Sequence, residues 1–140
     1  MDFPTLQDRN KEAVLRFNKR VIEDGDEAAF GELMAPGFTN HSAAPGMSKG
    51  GDGMWHTFSK VLRPAFPDLV VDIEDQVAEG DKVVTRKTIR GTHLGPLMGI
   101  PATGRSVAIN VIDIVRLEDG RYAEHWGINT LAAVLAQLRG

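Results

Sequence analysis

The sequence contains no cysteine. That absence excludes a disulfide scaffold, a thiolate nucleophile and a cysteine-ligated zinc site. Long apolar runs are also missing, so no segment reads as a membrane span. The opening Met1-Asp2-Phe3-Pro4 lacks a basic stretch followed by an apolar run, and no secretory signal is expected. The basic residues do not cluster, and the formal net charge is -3. A nucleic-acid surface needs a positive patch to displace counterions, so that class is set aside. The expectation is a cytoplasmic protein with no nucleic-acid and no membrane partner. What is present is an ordinary globular balance, 42% hydrophobic against 25% charged, over 140 residues. That length suits one domain, 1-140, able to bury roughly two-thirds of its unfolded surface.

The first part of the chain has helical periodicity. Val14, Phe17 and Val21, with Leu15 and Ile22, recur at helical spacing from Leu6 to Ile22, capped by Thr5 or Asp2 and ended by Gly25. A second short helix is expected from Asp26, burying Phe30, Leu33 and Met34 and stopping at Pro36-Gly37. Phe38 to His41 reads as a short strand or loop, and Ser42 to Gly53 as a flexible connection. A third helix is expected from about Asp52 to Leu62, ended by Pro64 and Pro67. The period then changes to two. Strands are expected around Leu69, Val71 and Ile73, over Lys82 to His93, Ser106 to Leu117 and Arg121 to Trp126, and a last helix carries Leu131, Val134, Leu135 and Leu138. Helices followed by antiparallel strands give an α+β fold, with a curved sheet and helices packed across its concave side around a pocket.

Asp113 is the most informative residue. Strict alternation puts it on one face with Val107, Ile109, Val111 and Val115. A carboxylate there is costly unless paired, and desolvation would raise its pKa toward the range of a general acid or base. The alternative is a salt bridge to Arg86, Lys87 or Arg90 on the neighbouring strand, a structural arrangement that also perturbs titration. Of the four histidines, His93 ends one strand and His125 lies on another, so both could reach one pocket with Asp113. His41 and His56 are further candidates at a ligand. None of the histidine spacings is a zinc pattern, and no metal is expected. Asn40 and Asn110 could donate to a substrate carbonyl, although Asn40 could equally terminate a turn. Trp55, Trp126, Phe58, Met54 and Met98 could line an apolar pocket or be ordinary core.

Several short segments, taken in order, carry a resemblance. They are Phe66-Pro67-Asp68, Glu79-Gly80-Asp81-Lys82-Val83-Val84, Gly91-Thr92-His93-Leu94-Gly95 and Gly99-Ile100-Pro101-Ala102-Thr103-Gly104. Glu118-Asp119-Gly120, Glu124-His125-Trp126 and Leu135-Ala136-Gln137-Leu138 follow. Together they resemble the SnoaL-like polyketide cyclase (ester cyclase) family along nearly the whole chain. The resemblance implies the cone-shaped α+β fold of the nuclear-transport-factor-2-like superfamily, with an internal apolar pocket. It implies ring closure of a polyketide methyl ester by intramolecular aldol condensation, with no cofactor and a pocket carboxylate as base. The family's acid/base Asp aligns with Gly127, and another frequent Asp with Thr130. The family's pocket histidine aligns with Asp113, while Asn40 and His93 match family positions.

Two function classes follow. The first is an acid/base enzyme on a small apolar carbonyl compound, with Asp113, His93 and His125 catalytic and Asn40, His41, Trp55, His56, Met98, Asn110 and Trp126 at the substrate. The second is a small-molecule binding protein without catalysis, motivated by Gly127. Dehydration, isomerisation or epoxide hydrolysis would use the same groups. Sheet-face pairing into a homodimer or higher homo-oligomer is expected from the resemblance and from the prevalence of closed homodimers.

Overall fold

The computed structural model describes residues 4–140. Helix α1 (Leu6–Arg16) starts at a capping box: Thr5 Oγ1 accepts from Asp8 N at 3.1 Å, and Asp8 Oδ2 accepts from Thr5 N at 3.3 Å. Asp2, the other cap considered, lies outside the described residues, as does the start of the segment read for a signal. The helix continues as a π-helical stretch, Phe17–Glu23. Asn18 Nδ2 donates to Val14 O at 2.9 Å, taking the carbonyl its own main-chain N–H would use. Such back-bonding favours a wider turn. The same device recurs after α3 (Gly51–His56). There Thr57 Oγ1 and Ser59 Oγ donate to Gly53 O and Trp55 O, and a second π-helical stretch covers Thr57–Leu62.

Between these lie α2 (Glu27–Leu33), capped by Asp26, and strand β1 (Met34–Asn40). The expected stop at Pro36-Gly37 is corrected: the helix ends at Leu33, and the proline and glycine lie in an edge strand, where a missing N–H costs no ladder bond. The expected stop at Pro64 is likewise corrected: the helix runs on without a break through Pro64 in a final turn, α4 (Arg63–Ala65), and ends before Phe66. Then come β2 (Val70–Glu79), β3 (Lys82–Thr92), β4 (Ser106–Glu118), β5 (Arg121–Asn129) and α5 (Leu131–Arg139).

The five strands form one mixed sheet in the order β1-β5-β4-β3-β2, antiparallel except where β1 runs parallel to β5. Register assigns the faces. Val83, Thr85, Lys87 and Ile89 on β3 stand opposite Val115, Asp113, Val111 and Ile109 on β4. Asp113 and Val115 in turn face Gly127 and His125 on β5. This face packs against the helices, and Val83, Thr85, Lys87, Ile89, Ile109, Asp113 and Val115 on it are buried. An aromatic group lies between the layers: Phe17 stacks on Tyr122 at 4.1 Å and touches Phe30 and Phe58, and Phe30 meets Trp55. Leu15, assigned to the apolar stripe of α1, is 42% exposed and belongs to its solvent side. The chain has the curved α+β sheet with N-terminal helices expected of the cone fold.

Candidate active site

One continuous chain of polar side chains crosses the buried face. Asn40 at the end of β1 meets His125 on β5, with 2.8 Å between Asn40 Oδ1 and His125 Nδ1. His125 Nε2 lies 3.3 Å from Asp113 Oδ2 on β4. Lys87 Nζ on β3 lies 3.3 Å from the same oxygen and donates to Asn18 Oδ1 at 2.7 Å. Asn18 closes the chain by donating to Val14 O. Five side chains from four strands and one helix are joined because β1, β5, β4 and β3 are sheet neighbours and these positions share one face.

Asp113 and Lys87 are each only 6% exposed in their side chains, and His125 is 16% exposed. Asp113 Oδ1 is buried without a partner among the described residues. Burial pushes the Asp113 carboxyl up, but the Lys87 ammonium and the hydrogen bond and charge of His125 outweigh it. The carboxyl is held below the usual carboxylate range. The expectation of a desolvation-raised carboxyl is therefore corrected: the Lys87 ammonium and the contact with His125 reverse its direction. Tyr122, buried beside the cluster, has its phenol pushed well up by burial and by the Asp113 charge.

Gly127 stands directly across from Asp113. A Cβ there would lie 3.0 Å from His125 Cε1, 3.2 Å from His125 Nε2 and 3.3 Å from Asp113 Cβ. The space a side chain would need is taken by the imidazole. Gly127 N also donates to Ser42 Oγ at 2.8 Å, which continues the edge pairing where β1 has ended.

The remaining candidates are dispersed. His93 is fully buried at the far end of β3, with Nδ1 2.9 Å from Thr103 Oγ1 and 3.3 Å from Thr103 N. It faces Arg105, eight residues before Asp113 and so about 26 Å away along an extended strand. The expectation that His93 and His125 share a pocket with Asp113 is corrected accordingly: His93 clasps the 94–104 loop. Asn110 and Trp126 point to the opposite face of the sheet, one residue out of phase with the Asp113 face, and so does His41. His41 stacks on Trp126 at 4.8 Å and pairs with Glu124 at 2.7 Å. Trp55 packs on Phe30, His56 is exposed on α3, and Met98 is exposed in the 94–104 loop at a φ of 47°.

Lys87 entered the sequence reading only as a salt-bridge partner, and Asn18 not at all. Both had signals. Lys87 alternates in phase with Val83, Thr85 and Ile89, and Asn18 falls four residues after Val14 and three before Val21 on the apolar stripe of its helix. Surface hollows of about 700, 380 and 410 Å³ occur, the second lined in part by Lys87 and Asn110, and neither Asp113 nor His125 lines any of the three. Among the described residues, no group of three or more His, Asp and Glu side chains is placed to hold a metal ion. No helix among them is long and apolar enough to cross a membrane.

Residues 12–138 match the family described as SnoaL-like polyketide cyclase. Among solved structures, TsrD from Streptomyces laurentii is 31% identical, with 93% of this chain and 94% of that chain covered and a TM-score of 0.81. IdmH from Streptomyces antibioticus, provisionally described as a polyketide cyclase, is 31% identical, with 94% and 99% covered and a TM-score of 0.81. AclR from Streptomyces galilaeus, provisionally described as a hydroxylase, is 26% identical, with 95% and 97% covered and a TM-score of 0.83. Among curated proteins, none matches the sequence.

Proposed function

The chain belongs to the SnoaL-like polyketide cyclase family, and from that premise we propose that it is an acid/base enzyme acting on a small, largely apolar carbonyl compound. The observation that carries this reading is the buried Asp113–His125 contact at 3.3 Å, with Asp113 Oδ1 left without a partner among the described residues. In the reaction, Asp113 takes a proton from the carbon beside a substrate carbonyl. The C–H electron pair moves to form an enolate. The enolate carbon then attacks a second carbonyl of the same molecule, and the new alkoxide receives a proton from the pair. A positioned general base is worth roughly 10²–10⁴ in rate. Asn40 orients the imidazole, as the outer partner in such pairs commonly does. Substrate enters beside His125, the most exposed member of the Asp113–His125–Lys87 group.

On this reading the family's carboxylate position can be empty because Asp113 takes over its role. Asp113 is the cross-strand neighbour of Gly127, so the carboxylate has moved one strand along the same face. The opposite face carries Ile112 and Ile128 directly across from one another, 44% and 71% exposed, beside Ile114 and Trp126. Two copies pair through this face, as its exposed apolar area suggests.

The test is deuterium exchange beside the carbonyl of a panel of small ketones and β-keto esters, followed by NMR in D₂O. The wild-type chain accelerates exchange of at least one compound, and Asp113→Asn lowers that rate by about 100-fold or more. Exchange unaffected by Asp113→Asn removes the assignment. A second reading, binding without turnover, is favoured by the near-complete burial of Asp113 and Lys87. Retention of a ligand with no exchange by the wild type would select it.

A further inference from the structure

The two amides that end the buried chain have their orientations fixed by main-chain groups. Ser42 N, which can only donate, lies 3.0 Å from Asn40 Oδ1. Val14 O, which can only accept, takes Asn18 Nδ2. The atoms turned inward, toward His125 Nδ1 and Lys87 Nζ, are therefore both oxygens. An acceptor at each end makes His125 Nδ1 and Lys87 Nζ donors. The two inner contacts then converge on a single oxygen, Asp113 Oδ2. An ionised carboxylate only accepts, so His125 Nε2 donates as well, and both ring nitrogens carry a proton. The alternative places that proton on Asp113, and the Lys87 ammonium against Oδ2 opposes it by favouring negative charge there.

We infer that Lys87 and Asn18 are positioning residues of the acid/base pair: with Asn40 they hold the proton on His125 Nε2, making His125 the acid and Asp113 Oδ1 the base. The inference rests on the acid/base reading above and deepens it. Asn18 aims the ammonium, and the ammonium keeps Oδ2 negative. Oδ2 is then occupied by two donors, and Oδ1, buried and without a partner among the described residues, is the oxygen left to receive a proton. The titratable groups facing Asp113 are Lys87 from β3, His125 from β5 and the buried phenol of Tyr122, also on β5. The helix contributes the neutral Asn18. Lys87 can only donate and the ionised carboxylate can only accept, so the one open choice lies at the His125 ring, and Asn40 Oδ1 and Asp113 Oδ2 settle it at its two nitrogens.

The experiment is NMR on the full chain at pH 7, reading the His125 ring nitrogens by long-range ¹H–¹⁵N correlation and the Asp113 carboxyl by ¹³C. The wild type shows two protonated ring nitrogens and an ionised carboxylate. Lys87→Met moves one proton to Asp113, so His125 keeps only the Nδ1 proton and the carboxyl shows its acid form. Lys87→Gln, which keeps a donor and removes the charge, gives the same change should the methionine variant fail to fold. Lys87→Arg restores the wild-type spectrum. A wild type with a single His125 ring proton overturns the inference, and so does a Lys87→Gln spectrum identical to the wild type. The readout needs no turnover. The expected spectra with exchange unaffected by Asp113→Asn would sink only the acid/base reading, and the reverse result only the proton assignment.

Discussion

Replacing Gly127 with alanine tests the packing of the site more sharply than removing any of its polar groups. The backbone there is ordinary extended strand, since Gly127 is not among the glycines of positive φ. Alanine would thus be conformationally acceptable, and in open space it would gain about 0.5–1 kcal/mol from a less flexible unfolded chain. The added Cβ meets the His125 ring at 3.0 and 3.2 Å and Asp113 Cβ at 3.3 Å, closer than such contacts normally come. Overpacking of this kind costs about 1–3 kcal/mol. The net expectation is a loss of about 1–2 kcal/mol, or a fall in Tm of about 3–6 °C for a domain of this size. The ring gives way first, which lengthens the 3.3 Å contact to Asp113. Urea denaturation of four proteins measures the effect: wild type, Gly127→Ala, His125→Ala and the double variant. With the imidazole gone the clash with its ring disappears, so Gly127→Ala becomes neutral or mildly stabilising in the His125→Ala background. The cycle should return a coupling of about 1–2 kcal/mol. Strict additivity of the two substitutions would refute the reasoning.

Three further outcomes follow from the same geometry. The Asp113 carboxyl is held low by Lys87 and His125 against the effect of burial, so its stabilisation is complete above the unfolded value of about 3.9 and is lost as pH falls through the lower folded value. Wild type should exceed Asp113→Asn by about 3 kcal/mol at pH 7, with the gap narrowing below about pH 4; a gap independent of pH from 2.5 to 7 would contradict this. His93→Ala removes a fully buried ring and its bond to Thr103, and should cost about 2–4 kcal/mol in urea melts without changing ketone exchange. A stability within about 0.5 kcal/mol of wild type would show that the clasp on the 94–104 loop is dispensable. On the proposed pairing through the exposed apolar sheet face, light scattering should show the wild type as a dimer and Ile128→Glu, which places a charge there, as a monomer. An unchanged assembly would locate the interface elsewhere.

Much of this protein was legible as one-dimensional pattern. The switch from helical to twofold periodicity near Leu69, the hairpin glycines Gly80 and Gly120 at positive φ, and the Thr5 cap each report a local backbone preference. Alternation along β4 alone placed Asp113 among buried valines and isoleucines, and it did so correctly because side chains in a strand must alternate between faces. The same rule, carried to β3, would have put Lys87 on the buried face of its own strand.

What alternation along one strand cannot supply is which strands are neighbours and in what register. His93 and His125 look equivalent in the sequence, each near the end of a strand. Sheet order and pairing separate them, leaving one in contact with Asp113 and the other clasping a distant loop. Asn110 and Trp126 fail as companions of Asp113 for the same reason, since a shift of one residue moves a side chain to the opposite face of the sheet. The direction of the Asn40–His125 contact likewise depends on Ser42 N, a group that the backbone brings to Asn40 Oδ1. The sequence by itself determined the family, the α+β class and the burial of one carboxylate, because these rest on local pattern. The tertiary structure decided the carboxylate's partners, because they are far apart along the chain and meet only through strand order and register.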